Sequence, residues 1–166
     1  MAARSVSLNG LDGLVRIDNG DIKEVSCNYK KASFDIVTSN PPYIKGSHGL
    51  ENPDAPKNIA RHEVHVTLEQ VVAAAEHALK PGGSFYMIHK PFRLAEIFEC
   101  LHEHRLEPKR MQLVHPYIDK EPNMVIVEAV KGGNSMIKID PPMIVYKVPG
   151  VYTEQLLATY EGTAKR

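Results

Sequence analysis

The feature that most constrains this fold is a change of apolar period that repeats through the middle of the chain. "FDIVTS" (34–39) is a short apolar run, a helical stripe follows from Thr67, "SFYMIH" (84–89) reads as a strand again, and a second helical stripe begins after Pro91. Alternation of this kind predicts an α/β architecture, in which helices cross over between strands of a mostly parallel, doubly wound sheet. The first helix is well specified: Thr67 and Gln70 make a capping box, and Leu68, Val71, Val72, Ala75 and Leu79 share one face until Pro81-Gly82-Gly83 stops it. In the second helix Pro91 suits the first turn, and Leu94, Ile97, Phe98 and Leu101 form the face to be buried. "PKRMQLVHP" and "NMVIVEAV", joined by the polar "YIDKEP", then predict a hairpin-like pair at the end of the sheet. Phe34, Ile36 and Val37 make "FDIVTS" apolar enough to expect burial on both faces.

The flanking segments are less regular. "MAARSVSLNGLDG" predicts a short helix ending near Asn9-Gly10, and "LVRID" (14–18) a strand finishing at Gly20-Asp21. Residues 44–62 carry Gly, Pro, Asn and Asp without a period, which predicts a long loop; loops of that length in compact domains are usually functional or disordered. From 135 onward, Met136, Ile137, Ile139, Ile144 and Val145 predict an irregular or edge extension lying along the body. A chain of 166 residues, 43% of them hydrophobic, supports one domain, with 135–166 packed on it.

Charge and cysteine usage narrow the classes. Lys plus Arg and Asp plus Glu number 20 each, so no global field draws the chain onto a polyanion, and a nucleic acid would have to be held by a local site. Cys27 and Cys100 form no CxxC pair and fall short of a disulfide framework, which fits a reducing compartment. No apolar run reaches the roughly 20 residues of a membrane span, and no signal-peptide pattern opens the chain, so a soluble, cytoplasmic protein is expected.

In open α/β sheets ligands bind beyond the carboxyl ends of strands, and "FDIVTS" ends in Asn40-Pro41-Pro42-Tyr43. The prolines fix φ and remove N–H groups that would compete for nearby carbonyls. The Asn40 side-chain carbonyl and the Pro41 backbone carbonyl can then both accept from one amino group, with Tyr43 offering a flat face to the ring that bears it. Such a site orients the lone pair of a planar amine toward an electrophile. The same four residues also suit a plain strand-ending turn.

Asn40-Pro41-Pro42-Tyr43 resembles the signature of class I S-adenosylmethionine-dependent amino-methyltransferases, among them adenine-N6 and protein-glutamine-N5 enzymes. "IARHEVHVTLEQVV", "LKPGGSFYMIHKPFRLAEIF", "LEPKRMQLVHPYIDKEPNMVIVEAVKGG" and "PPMIVYKVPGVYTEQLLATY" narrow the resemblance to the bacterial tRNA1(Val) adenine-37 N6-methyltransferase family. It implies a Rossmann-like sheet with helices on both faces and a C-terminal β-hairpin, S-adenosylmethionine as cofactor, and tRNA as partner. It assigns Asn40, Pro41, Pro42 and Tyr43 to the target amine, and Asp21, with Asn40, to the cofactor. Protein-glutamine methylation, or a non-catalytic remnant that binds RNA or protein, are the alternatives.

The resemblance also predicts a gap. The family opens with two strands and a glycine-rich turn, and no such segment precedes residue 14, so the chain reads as a member lacking its N-terminal part. A strand made for the sheet interior would then form an open edge, inviting self-association, a complementing N-terminal segment, or direct closure onto "LVRID".

Lys57 and Arg61, in the loop beside the site, are candidates for guiding substrate, and His89 and Arg93 belong to a later cluster with Lys90, Arg105, Lys109, Arg110 and His115 that could meet phosphates. Glu96, Glu99, Glu103 and Glu107 are interleaved with that cluster, so an ordinary solvated face reads equally well. His62-Glu63-Val64-His65 lacks the HExxH spacing, since Val66 stands where the second histidine is needed, and no metal is expected.

Overall fold

A computed structural model describes residues 1–42 and 66–160. Helix α1 (Ala2–Leu8) ends at Asn9, with Gly10 in the left-handed region at φ 65°, as the sequence predicts. A 3-10 turn (Ile22–Glu24) and α2 (Val25–Asn28) lead to β1 (Phe34–Ser39), α3 (Leu68–Ala78), β2 (Leu79–His89), α4 (Leu94–Glu103), β3 (Leu106–His115) and β4 (Met124–Lys131). The tail adds β5 (Lys138–Ile139), β6 (Met143–Ile144), β7 (Tyr146–Val148), β8 (Val151–Tyr152) and α5 (Glu154–Tyr160).

The main sheet runs β1-β2-β4-β3-β5, with β6 also on β3. β1 and β2 are parallel, and β4 lies antiparallel to both β2 and β3, so β1, β2 and β3 share one direction. The terminal hairpin is therefore present, with β4 inserted between two parallel strands. Phe85 and Met87 pair with Ala129 and Val127 on one face of the sheet, where they meet Leu68, Val72 and Ala75 of α3 and Ile97 and Leu101 of α4. α3 and α4 lie side by side on this face. Right-handed crossovers that step β1, β2, β3 in a single direction lay their helices on the same side. The other face carries Tyr86, whose hydroxyl donates to Glu128 Oε1 at 2.9 Å.

The capping box of α3 forms in both directions, with Gln70 N–H to Thr67 Oγ1 at 3.2 Å and Thr67 N–H to Gln70 Oε1 at 3.0 Å. Its far end is held by Lys131 of β4, whose ammonium donates to the Leu79 carbonyl at 3.0 Å and pairs with Glu76 at 2.8 Å. A cation there satisfies carbonyls that the helix leaves open. β2 begins earlier than the sequence suggests. Pro81-Gly82-Gly83 belongs to the strand as a bulge opposite β1, because Gly82 takes φ 78° and a Cβ on Gly83 would meet Asp35 O and Lys80 O at 3.0 Å.

Two expectations fail at the N-terminal side. Residues 14–18 are not a strand: no described strand pairs with them, and Arg16 and Tyr29 both bond Asp18 instead, Tyr29 Oη at 2.6 Å. Backbone groups without a ladder partner turn to local bonds and water. β1 is not buried on both faces either. Among the described residues it pairs with β2 alone, and Phe34 and Ile36 are 41% and 60% exposed. β5 and β6 form the opposite border, so the tail does lie along the sheet edge. No helix among the described residues is long and apolar enough to cross a membrane.

Candidate active site

Strands of one direction deliver their carboxyl ends to one border of the sheet, where a rigid frame can hold irregular chain. Ser39 of β1 is level with Met87 of β2, so Asn40-Pro41-Pro42 leaves the sheet beside Ile88 and His89. Pro41 is buried while Asn40 and Pro42 are exposed. The first proline thus anchors the segment in the fold and leaves the asparagine outside. Tyr43, Lys57 and Arg61 lie outside the described residues.

The end of β2 carries a buried polar group. His89 is 1% exposed and Arg93 7%. His89 Nδ1 accepts from the Lys90 N–H at 2.7 Å, and its Nε2 lies 3.3 Å from Arg93 Nη1. Arg93 also grips Glu96 with both arms, Nε to Oε2 at 3.0 Å and Nη2 to Oε1 at 2.5 Å. Burial first, and then the Arg93 charge, hold the His89 imidazole below its ordinary pKa. The sequence groups these two residues with surface cations that reach phosphate; the structure encloses both. The 3-10 turn Pro91–Arg93 folds Arg93 back against β2, and a guanidinium with a bidentate carboxylate can be buried where a bare one cannot. Other cations of that cluster also serve their own chain: Lys90 Nζ donates to Asn123 O at 3.2 Å, Lys109 Nζ to Asn134 O at 2.9 Å, and Arg110 Nε to Asp140.

Asp21 caps the 3-10 turn, accepting from the Lys23 N–H at 2.9 Å. It lines a polar cavity of about 480 Å³ together with Asn19, Gly20 and Asn28. That cavity shares Arg16, Asp18, Ile22, Val25 and Tyr29 with an apolar groove of about 720 Å³, walled by Phe34 and Ile36 of β1 and Val71 and Ala75 of α3. The groove runs to Ser39, one residue short of Asn40. One continuous depression thus extends from Asp21 toward the end of β1, and apolar walls with a few polar groups are the usual makeup of a small-molecule site. The Arg16–Asp18–Tyr29 cluster in its wall is a feature that sequence reasoning missed. Arg16, and after it Tyr29, hold the Asp18 carboxyl below its ordinary pKa by hydrogen bonding. The available signal was an arginine and an aspartate two apart in an otherwise apolar run.

No protein-family model matches the chain. It is 29% identical over 150 residues to a Porphyromonas gingivalis protein named tRNA1(Val) (adenine(37)-N6)-methyltransferase, an alignment covering 87% of this chain and 58% of that one. Proteins of the same name from Parabacteroides distasonis and Bacteroides fragilis are 31% identical over 96 residues and 26% over 114, covering 57% and 68% of this chain and 39% and 47% of theirs. The chain spans less than two thirds of the length of these relatives, 58% in the P. gingivalis case. Among solved structures, it superposes on a predicted O-methyltransferase from Agrobacterium tumefaciens with a TM-score of 0.73 at 20% identity, covering 99% of this chain and 73% of that one. A geranyl diphosphate C-methyltransferase from Streptomyces coelicolor gives 0.54 at 13% identity, covering 77% and 59%. The strand order, the inserted antiparallel β4 and these superpositions identify the fold as the Rossmann-like sheet of methyltransferases.

Proposed function

We propose that the chain carries the amine-binding part of an S-adenosylmethionine-dependent enzyme that methylates N6 of an adenine in tRNA. The observation that carries this reading is the placement of Asn40-Pro41-Pro42 at the carboxyl end of β1, at the mouth of the groove that reaches Asp21. The names of the sequence relatives supply the substrate class. S-adenosylmethionine brings an electrophilic methyl on a sulfonium, and the groove suits its parts: apolar walls for the adenine, Asp21 as acceptor for its amino group. Asn40 and the Pro41 carbonyl hold the two hydrogens of the target amine, with Tyr43 against its ring. Bound there, S-adenosylmethionine would supply the methyl and keep the electrons of its C–S bond as the thioether, while Asn40 and the Pro41 carbonyl would turn the amine lone pair toward that methyl and the surplus amine proton would leave to water. No strong base is required, so positioning supplies the rate. His89 and Arg93 are assigned a positioning role, fixing the end of β2 beside Asn40; Lys57 and Arg61 remain the candidates for guiding RNA.

We further propose that the outer edge of β1 is covered in the working protein, by a complementing segment or by a second copy of the chain. The exposed Phe34 and Ile36 support this, since an apolar edge strand pairs readily. The test is calorimetric titration with S-adenosylmethionine, with and without an upstream extension from the reading frame, followed by nucleoside analysis of tRNA incubated with whichever form binds. N6-methyladenine in the tRNA, reduced on the order of 10²-fold by Asn40→Ala at saturating cofactor, supports the reading. Cofactor binding without methylation of any tRNA adenine overturns it.

A further inference from the structure

The contact between α3 and α4 holds three side chains of metal-ligating chemistry that the methyl-transfer reading leaves unused. Glu69 stands in the first turn of α3, Cys100 in the last turn of α4, and His104 one helical turn further on, so Cys100 and His104 project from the same side. Cys100 Sγ donates to Glu69 Oε2 at 3.3 Å, and His104 Nε2 lies 2.5 Å from Glu69 Oε1. One ligand atom from each residue falls within 4.8 Å of the other two. Cys100 is buried, His104 half-buried and Glu69 exposed, so the group is closed behind and open to solvent in front. No other such triad occurs among the described residues.

From this arrangement we infer that Glu69, Cys100 and His104 form a zinc site that fastens α3 to α4. The donor set of one sulfur, one nitrogen and one oxygen selects Zn²⁺ over Mg²⁺ or Ca²⁺, which take oxygen ligands. Tetrahedral bonds of about 2.0–2.3 Å set ligand separations of about 3.3–3.6 Å. The Cys100–Glu69 separation of 3.3 Å already fits, the three ligand atoms lie within 4.8 Å of one another, and the exposed Glu69 carboxylate has to draw back from His104. Binding balances in protons and charge. The Cys100 thiol releases its proton to water, the imidazole carries its own on Nδ1 and ligates through Nε2, and the thiolate and carboxylate neutralise the dication. A water completes the fourth position. Burial and the adjacent Glu69 carboxylate push the free Cys100 thiol up to about 12, and in the absence of metal the thiol donates to Glu69 Oε2.

The test is titration of the full chain, in a Cys27→Ser background, with Co²⁺ as spectroscopic stand-in and Zn²⁺ as competitor. The expected result is one equivalent bound, with a thiolate-to-cobalt charge-transfer band that Cys100→Ser abolishes. Glu69→Gln and His104→Asn each weaken Zn²⁺ by more than the about 10-fold to 100-fold that outer-shell changes cost. Glu69→Gln and His104→Asn also lose the Zn²⁺-dependent rise in unfolding temperature, and they decide the matter if Cys100→Ser does not fold. Absence of the charge-transfer band in the parent protein, or Zn²⁺ affinity unchanged in Glu69→Gln and His104→Asn, overturns the assignment.

Discussion

At the scale of single residues, the burial of Arg93 decides more than its charge. Its guanidinium reaches both Glu96 and His89, so Arg93→Ala leaves a carboxylate and an imidazole facing a void. Removing one member of a buried pair costs about 3–5 kcal/mol, and because the Glu96 side chain is 36% exposed we expect about 2 kcal/mol here, read from urea unfolding. Arg93→Lys should recover little of it, since a lysine cannot span both carboxylate oxygens. His89 adds a pH dependence. Its folded pKa lies below the ordinary value of about 6.5, so the unfolded chain binds the extra proton first, and stability falls as the pH drops below about 6.5. His89→Gln should flatten that part of the stability–pH curve. None of this was legible in the sequence, where His89 and Arg93 stand among surface-type charges; their enclosure follows from the Pro91 turn and from a three-dimensional pairing.

At the scale of elements, legibility tracked how locally each element is specified. The α3 capping box and the β3–β4 hairpin are written in neighbouring residues and appear as read. "LVRID" has strand composition but no ladder beside it, and composition alone does not make a strand. Pro81-Gly82-Gly83 reads as a helix stop, yet α3 already ends at Ala78 and Leu79 opens β2 instead of closing the helical face; the use of these glycines as the bulge that seats β2 against β1 depends on a strand far away in sequence. Gly83→Ala tests that use: the new methyl would meet two backbone oxygens at 3.0 Å, and we expect a loss of about 1–3 kcal/mol in thermal or urea unfolding. The candidate site shows the same division. Asn40-Pro41-Pro42 was readable as a motif at a strand end, while the groove linking it to Asp21 arises only when α3 is laid against β1.

At the scale of the whole molecule, the sheet has two different borders. One is finished by the short strands β5 and β6 of the tail, and the other, among the described residues, is β1, with Phe34 and Ile36 exposed. A net charge of zero gives little repulsion to keep such edges apart. Light scattering should therefore show concentration-dependent association, and Ile36→Lys, which puts a charge on that edge, should shift the chain toward monomer. The borders also differ in how they are assembled. β3 and β4 meet across a short connection, whereas β1 reaches β2 only across a far longer stretch of chain that includes α3. The hairpin is thus expected to order early and β1 last. In amide hydrogen exchange the β3–β4 ladder should be the slowest part of the sheet, and β1, held from one side, should open in cycles that leave the rest intact.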